Sequence, residues 1–386
     1  MEQSLIKQVF ADFPIDILRQ SIRGWETVES LEDLSITLPG GFSGTTYLAE
    51  NKKLTLNEHN PVIFKLHNPD LRPGLDKELK VAQILSDQKW GPHIYYKCTN
   101  FRIEKYLDTR HMGIFEMRNP YYMQQIVEKM VQFHYNDELN TSMIEHHNGV
   151  KRTLIENFND NLYPQFLRKF DEILLNLDEY EEYREIIQII KQNYYDIDLI
   201  QFLDNLMKED EILDEDVRVS HYDIQQGNIL VFNKDQAKIC IIDYEDPAFA
   251  PRSNDLGSFL GCFMKDNAHP EGSGIKQYFE NAITEREVRF AANHYLTYYH
   301  QTFYKGQLSL RNYLDQHLEQ FYEDVVVSMI FMNIYYGTWS VIRLRSELKG
   351  TFLNMGFARV FQNQHLFKLN YVQKILHKRR VLVNNF

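Results

Sequence analysis

The chain has 386 residues, of which 44% are hydrophobic and 25% charged. This is the composition of an ordinary globular protein and excludes a collagenous, coiled-coil or largely disordered chain. Acidic side chains outnumber basic ones by 54 to 42, and the resulting net charge of -12 has the wrong sign for a nucleic-acid-binding protein. The length favours two lobes over a single core.

The cysteines and the termini indicate the compartment. Cys98, Cys240 and Cys262 are far apart and form no CxxC pair, so neither a disulfide framework nor a zinc site is indicated. The N-terminus lacks the features of an export signal, and we expect a reducing, cytoplasmic location. The longest uncharged stretch, 325–342, contains Ser, Asn, Gly and Thr, which favours a buried core helix over a membrane span.

The first part of the chain, from about 35 to 104, has the pattern of a sheet. Its strand-like runs are LSITLP, TTYLAE, PVIFKLH, HIYYK and FRIEKYL. These runs predict an antiparallel sheet, interrupted by one helix over 76–88 that ends before Gly91 and Pro92. We assign 1–108 to this N-terminal lobe.

The pattern becomes helical after this lobe, and we assign 109–386 to a larger, mainly helical lobe. Asn119 is the expected N-cap of its first helix, with Pro120 at the first helical position. The expected buried stripe of this helix is Met123, Ile126, Val127, Met130 and Phe133. Short strand-like runs around a polar loop return over 217–244, an arrangement that suggests a kinase.

The strongest local signal is HYDIQQGN, an HxDxxxxN loop that contains Asp223 and Asn228. Asp243 follows it, at the end of the apolar run KICIID. Phosphoryl transfer needs a carboxylate that orients the attacking hydroxyl and takes its proton, together with oxygen ligands for magnesium. We interpret Asp223 as that carboxylate and Asn228 and Asp243 as the ligands, in preference to solvated loop acids.

Lys65 lies in the apolar run PVIFKLH, where a lysine must reach solvent or find a partner. Glu78 on the following helix is the candidate partner, because a strand lysine paired with a helix glutamate positions the ATP phosphates in kinases. Two alternatives stay open here. Lys65 can be an exposed edge-strand lysine, and the Gly-rich segment PGGFSGTTYLAE can be a plain hairpin turn rather than a loop that covers phosphates.

The order and spacing of these segments resemble the choline/ethanolamine kinase family, relatives of the aminoglycoside phosphotransferases. The segments that carry the resemblance are GGFSGTTYLA, VIFKLH, KWGPHIYY, FRIEKYLDTR, SHYDIQQGNIL, IIDYE, PRSNDLG and YYGTWS. The resemblance implies an α+β, protein-kinase-like two-lobe fold with ATP and Mg²⁺ as cofactors. It also implies phosphorylation of the hydroxyl of choline or ethanolamine, which is the first step of phospholipid head-group synthesis, and it suggests a homodimer.

The resemblance further implies roles for individual residues. Those expected at the nucleotide are Ser43, Lys65, Glu78, Glu104, Lys105 and Leu107, with adenine near the backbone of the last two. Those expected at the reaction centre are Asp223 as the base, Gln225 as its support, and Asn228, Asp243 and Glu245 as metal ligands. Those expected at the amino alcohol are Tyr336, Trp339, Phe263, Phe357 and Asp246.

The chain departs from the family pattern at the substrate end. Cys262 stands where the family usually has a glutamate, and Tyr336 stands where it has a tryptophan. A trimethylammonium group is held by aromatic faces and a nearby carboxylate, so one expected charge is missing, and Asp246 or Asp266 is a candidate replacement. A related kinase with a different hydroxyl substrate and an inactive kinase-fold binding protein are therefore the two alternative functions.

Overall fold

The computed structural model describes residues 15–37, 46–67, 75–151, 153–208, 213–244, 247–266, 275–344 and 349–383. They fall into two units. The first lies within Met1–Arg110 and Val231–Asp246, and the second within His111–Leu230 and Pro247–Phe386. The segment 231–246 thus groups with the N-terminal part of the chain, whereas the sequence prediction divides the chain once, between 108 and 109.

The first unit is built on a five-stranded antiparallel sheet, as predicted. Its strands are β1 (Leu34–Thr37), β2 (Thr46–Asn51), β3 (Val62–Leu66), β4 (Ile94–Lys97) and β5 (Phe101–Lys105). They are ordered β1-β2-β3-β5-β4. Phe64 on β3 and Ile103 on β5 are opposite each other in register and both are buried, so this pair lies in the core of the sheet.

Two helices among the described residues of the first unit accompany this sheet. They are α1 (Ile15–Ser21) and α2 (Leu75–Asp87), and the second confirms the helix predicted over 76–88. The buried face of α2 includes Leu79, Ile84 and Leu85. It also includes Glu78, and a carboxylate buried on an apolar face needs a hydrogen-bond or ion-pair partner.

Seven shorter strands lie elsewhere in the described part of the chain. They are β6 (Thr109–His111), β7 (Val217–Ser220), β8 (Ile229–Phe232), β9 (Ile239–Ile241), β10 (Ala248–Pro251), β11 (Lys265–Asp266) and β12 (Lys276–Gln277). They form a sheet in the order β6-β8-β9 and two antiparallel pairs, β7 with β10 and β11 with β12. The short strands predicted over 217–244 are confirmed.

Helices dominate the second unit. They are α3 (Pro120–His134), α4 (Asp137–His146), α5 (Leu154–Asn157), α6 (Tyr163–Leu175), α7 (Arg184–Ile190), α8 (Leu199–Met207), α9 (Ser253–Gly261), α10 (Glu285–Thr302), α11 (Leu310–Ile342), α12 (Lys349–Leu366) and α13 (Asn370–Lys378). Asn119 caps α3 through a hydrogen bond from the backbone N–H of Tyr121, and Pro120 is the first helical residue. The predicted apolar stripe of α3 is buried throughout.

The helix α11 is long and apolar enough to cross a membrane by length and composition alone, but 83% of its most apolar window is buried inside the protein. This confirms the prediction of a core helix over 325–342. The helix α9 packs very closely against it at Gly257, where a Cβ atom would lie 2.5 Å from Cβ of Ser328. Glycine at this position therefore lets α9 approach α11.

Candidate active site

Asp223 lies in the loop between β7 and β8, and its carboxylate is held in place by two amides. Nδ2 of Asn228 donates to the backbone oxygen and to Oδ2 of Asp223, both at 2.8 Å. Nε2 of Gln225 donates to the same Oδ2 at 3.0 Å. No described residue donates a hydrogen bond to Oδ1. The loop therefore fixes the carboxylate and leaves one oxygen available to a hydroxyl group.

The residue before this aspartate has a strained backbone. Tyr222 has a φ of 86°, in the left-handed region that non-glycine residues rarely adopt. Such a conformation costs about 1 to 3 kcal/mol and persists only where surrounding contacts enforce it. Here the carbonyl oxygen of Tyr222 accepts hydrogen bonds from Tyr336 Oη at 2.9 Å and from Ser258 Oγ at 3.3 Å. These contacts hold the turn that presents Asp223.

Asp255 on α9 binds the backbone of the same loop. It is fully buried, and its carboxylate accepts the backbone N–H groups of His221 at 2.7 Å and Tyr222 at 2.8 Å. Nε2 of His134 lies 3.0 Å from its Oδ2. Burial by itself would raise the pKa of Asp255, but the hydrogen bond and charge of His134 outweigh it and lower that pKa. Asp255 belongs to PRSNDLG, one of the segments that carry the family resemblance, whereas sequence reasoning missed His134, the last residue of α3.

Lys65 and Asp243 form an ion pair within the first unit. Nζ of Lys65 lies 2.6 Å from Oδ1 of Asp243, and Lys65 is buried on β3. The alternative of an exposed edge-strand lysine is therefore wrong. Asp243 follows β9 and has a φ of 70°, which makes it a second strained position among the predicted functional residues.

Glu78 accepts a hydrogen bond from Nη1 of Arg102, and both side chains are buried. Nε of Arg102 also donates to Oε1 of Glu104 at 2.5 Å. Burial opposes the charged guanidinium, but the two carboxylates outweigh it and raise the pKa of Arg102. Sequence reasoning missed Arg102, and the predicted pairing of Glu78 with Lys65 stays a prediction.

The predicted adenine-binding segment follows β5. The backbone N–H of Lys105 donates to the carbonyl oxygen of His93 at 2.7 Å, so this donor is already used. The carbonyl oxygen of Leu107 accepts from Thr109 Oγ1 at 3.1 Å. An adenine ring that binds here has to use other backbone groups of the segment, and its position stays a prediction.

Three predicted site residues, Ser43, Glu245 and Asp246, lie outside the described residues. Within the described part of the chain, no group of three or more His, Cys, Asp and Glu side chains is arranged as a metal site. The magnesium prediction is instead supported by the available donor atoms. Because Asn228 uses Nδ2 for Asp223 and its Oδ1 accepts no hydrogen bond from a described residue, that oxygen is a ligand of the type Mg²⁺ prefers.

The two predicted substrate aromatics share one face of α11, as their spacing predicts. The ring centroids of Tyr336 and Trp339 are 6.2 Å apart, and both side chains are half-buried. Each ring already has a guanidinium group within cation–π distance. Arg359 lies 5.0 Å from the centroid of Tyr336, and Arg343 lies 5.4 Å from that of Trp339.

The other predicted substrate residues lie in different environments. Phe263 is fully buried and packs edge-on against Phe259, with ring centroids 5.2 Å apart, so it belongs to the apolar core. Phe357 is half-buried and packs against Phe361 at 4.5 Å. Asp266, the candidate replacement charge, accepts a hydrogen bond from Nε2 of Gln226 at 3.2 Å.

Two solved kinase structures superpose on this chain. A choline kinase from Cryptosporidium parvum Iowa II superposes with a TM-score of 0.68 at 17% identity, covering 97% of this chain and 98% of that one. An ethanolamine kinase from Plasmodium vivax superposes with a TM-score of 0.61 at 18% identity, covering 91% and 87%. The predicted α+β, protein-kinase-like fold is thereby confirmed.

Sequence comparison identifies the family. The choline/ethanolamine kinase family model matches residues 36–367. A probable choline kinase 2 from Arabidopsis thaliana is 23% identical over 321 residues, 82% of this chain and 81% of the relative. A choline/ethanolamine kinase from Homo sapiens is 23% identical over 331 residues, 83% and 76%. The chain belongs to the choline/ethanolamine kinase family, and it is a phosphotransferase with an alcohol acceptor.

Proposed function

We propose that this protein transfers the γ-phosphoryl group of ATP to the hydroxyl oxygen of choline or ethanolamine. The observation that carries the proposal is the fixed carboxylate of Asp223, whose Oδ2 is held by Gln225 and Asn228 while Oδ1 accepts no hydrogen bond from a described residue. Phosphoryl transfer depends mainly on positioning and electrostatic stabilisation, and a carboxylate held in this way can orient an attacking hydroxyl.

In the proposed reaction, the acceptor oxygen forms a bond to the γ-phosphorus while the bond from that phosphorus to the bridging oxygen of ADP breaks. Asp223 takes the hydroxyl proton as the new bond forms. The hydrogen bonds to Tyr222 and Asp255 keep the loop from relaxing, so the carboxylate does not have to reorganise during the reaction.

We assign ATP binding to the first unit, next to its buried charged side chains. Lys65 holds the phosphates, and the hydrogen bond between Glu78 and Arg102 stabilises the helix and strand beside it. Magnesium, when bound, neutralises charge on the phosphates, and its proposed protein ligands are oxygens of Asn228, Asp243 and Glu245. Ser43 is proposed to cover the phosphates with its neighbouring backbone N–H groups.

The acceptor is assigned to the aromatic face of α11 formed by Tyr336 and Trp339, which supplies surface for an ammonium group. Cytoplasmic location and a homodimer belong to the same proposal. Sedimentation of the purified protein measures the assembly, and a monomer at all concentrations contradicts that part alone.

The experiment incubates the protein with ATP and each of choline, ethanolamine and unrelated alcohols, with and without Mg²⁺, and follows the phosphorylated product by phosphorus NMR. We expect product only with Mg²⁺ and an amino alcohol. Asp223→Asn should remove the product, while Asp204→Asn, at an exposed position on α8, should not. Folded protein that binds ATP and phosphorylates no alcohol contradicts the proposal and favours a binding protein.

A further inference from the structure

Lys265 on β11 is a buried amine that lacks a hydrogen-bond partner in the described part of the chain. It is 1% exposed, and its Nζ forms no hydrogen bond with any described residue. Burial, together with the positive charge of Arg359, lowers the pKa of Lys265 to about 7, although Cys262 and Asp223 act in the opposite direction. An amine is rarely left in such surroundings without a partner, and perturbed groups of this kind concentrate at functional sites.

Arg359 on α12 is a second buried cation. It is 5% exposed, and its Nη1 donates to Oδ1 of Asn333 at 2.9 Å and to Oε1 of Gln362 at 3.4 Å. Both acceptors are neutral amides, and Nε of Arg359 donates to no described residue. No carboxylate in the described part of the chain forms an ion pair with this guanidinium.

Two side-chain amides whose N–H groups have no acceptor among the described residues accompany these cations. Gln277 on β12 is opposite Lys265 in register, which places the two side chains on the same side of the strand pair. Nε2 of Gln277 and Nε2 of Gln362 have no hydrogen-bond acceptor among the described residues. The resulting donor cluster consists of Lys265, Gln277, Arg359 and Gln362. Its excess of N–H donors and positive charge fits a ligand group with negatively charged oxygens.

The donor cluster is linked to the catalytic loop. The charge of Asp223 acts on both Lys265 and Tyr336. The Tyr336 ring carries the guanidinium of Arg359 on its face, and the Tyr336 hydroxyl donates to the carbonyl oxygen of Tyr222, the residue before Asp223. An alcohol whose hydroxyl contacts Asp223 therefore has the donor cluster as a neighbour.

We propose that the donor cluster binds an anionic group of the acceptor, a carboxylate or a phosphonate, so that the enzyme prefers an alcohol that carries such a group beside its hydroxyl. The inference rests on the proposed kinase activity and narrows its substrate class. L-Serine is ethanolamine with an added carboxylate, so it offers a hydroxyl to Asp223 and an anion to Lys265 and Arg359. Choline and ethanolamine supply no negative charge to either buried cation.

The test compares kcat/KM for L-serine, hydroxyethylphosphonate, ethanolamine and choline with the same ATP and Mg²⁺. We expect at least one anionic alcohol to exceed ethanolamine by about 10-fold or more, since hydrogen bonds to charged groups have this effect. Serine and the phosphonate distinguish the two sources of the anion. This comparison uses the wild-type chain and depends on no variant.

Variants then assign the effect to Lys265. Lys265→Met should lower kcat/KM for the preferred anionic alcohol by about 10- to 100-fold, mainly through KM, and should lower it much less for ethanolamine, so that the ratio between the two acceptors changes. Lys265→Arg keeps the positive charge and should therefore retain much more of this kcat/KM than Lys265→Met does. Lys276→Met is the matched control, because Lys276 is an exposed lysine on β12 and its loss should leave all four acceptors unchanged.

The outcomes separate this inference from the proposed function. The inference is overturned if kcat/KM is higher for ethanolamine or choline than for both anionic alcohols and Lys265→Met does not change the ratio of these kcat/KM values. The proposed function is then left intact. Transfer to an anionic alcohol alone supports the inference and replaces choline and ethanolamine as acceptors. Transfer to no alcohol overturns both.

Discussion

Lys65 and Arg102 lie directly opposite each other on β3 and β5, and each of these buried cations contacts a carboxylate from another element. Lys65 contacts Asp243, which follows β9, and Arg102 contacts Glu78 on α2. Two positive charges at one register position are tolerated because each is compensated. The first unit therefore depends on these pairs for stability as well as for any contact with ATP.

Arg102→Met should destabilise the protein, because it leaves the Glu78 carboxylate buried without its main partner. The expected loss is about 3 to 5 kcal/mol in the free energy of unfolding, measured by urea denaturation. Lys105→Met, which removes a largely exposed ion pair with Glu58, is the control and should have a much smaller effect. Equal losses of unfolding free energy in the two variants would show that the buried pair stabilises the protein no more than the exposed pair does.

Asp223→Asn should abolish turnover while ATP affinity stays near the wild-type value. The amide keeps the shape of the side chain but cannot take the hydroxyl proton, a loss of about 10²- to 10⁴-fold in kcat. Single-turnover assays and ATP titration measure the two quantities separately. A kcat near the wild-type value would remove Asp223 from the role of base.

Asp243→Ala should impair both activity and Mg-ATP binding, because the change removes a proposed anionic metal ligand and the carboxylate paired with Lys65. Asp243→Asn keeps an oxygen but no charge, so we expect a weaker defect that is partly relieved by raised Mg²⁺. The measurement is the Mg²⁺ dependence of ATP affinity. An unchanged dependence in both variants places the metal elsewhere.

Lys265→Met should stabilise the protein, and the gain should depend on pH. The pKa of Lys265 is lowered to about 7 in the folded protein, while an unfolded lysine titrates near about 10.4. Below pH 7 folding therefore requires burial of a charged amine, and this penalty falls as pH rises from 7 towards 10. We expect a gain on the order of a few kcal/mol at pH 6 that shrinks by pH 9, measured by urea unfolding. A gain that is the same at both pH values contradicts the lowered pKa.

Trp339→Leu tests the acceptor site, because leucine keeps apolar bulk but removes the aromatic face. Loss of a cation–π contact costs about 0.5 to 2 kcal/mol, visible mainly as a raised KM for an ammonium-bearing acceptor. The KM for ATP and the Tm should stay near wild type. A large fall in Tm with an unchanged acceptor KM would assign Trp339 to packing alone.

The sequence by itself determined the local structure and the loop that holds the candidate base. Alternating strands, the helix stop before Gly91 and the Asn119–Pro120 cap depend on residues close together in the chain, so their patterns are visible without a structure. The HxDxxxxN loop is equally local. Asp223 is oriented by Gln225 and Asn228, all within one short segment.

Only the tertiary structure decided which charges meet. Glu78 contacts Arg102 across 24 positions, and His134 contacts Asp255 across 121. The burial of Lys265 beside Arg359 depends likewise on two separate elements of the second unit. A sequence shows that a lysine or histidine is present, but its partner, its exposure and therefore its pKa are set by side chains that only folding brings together.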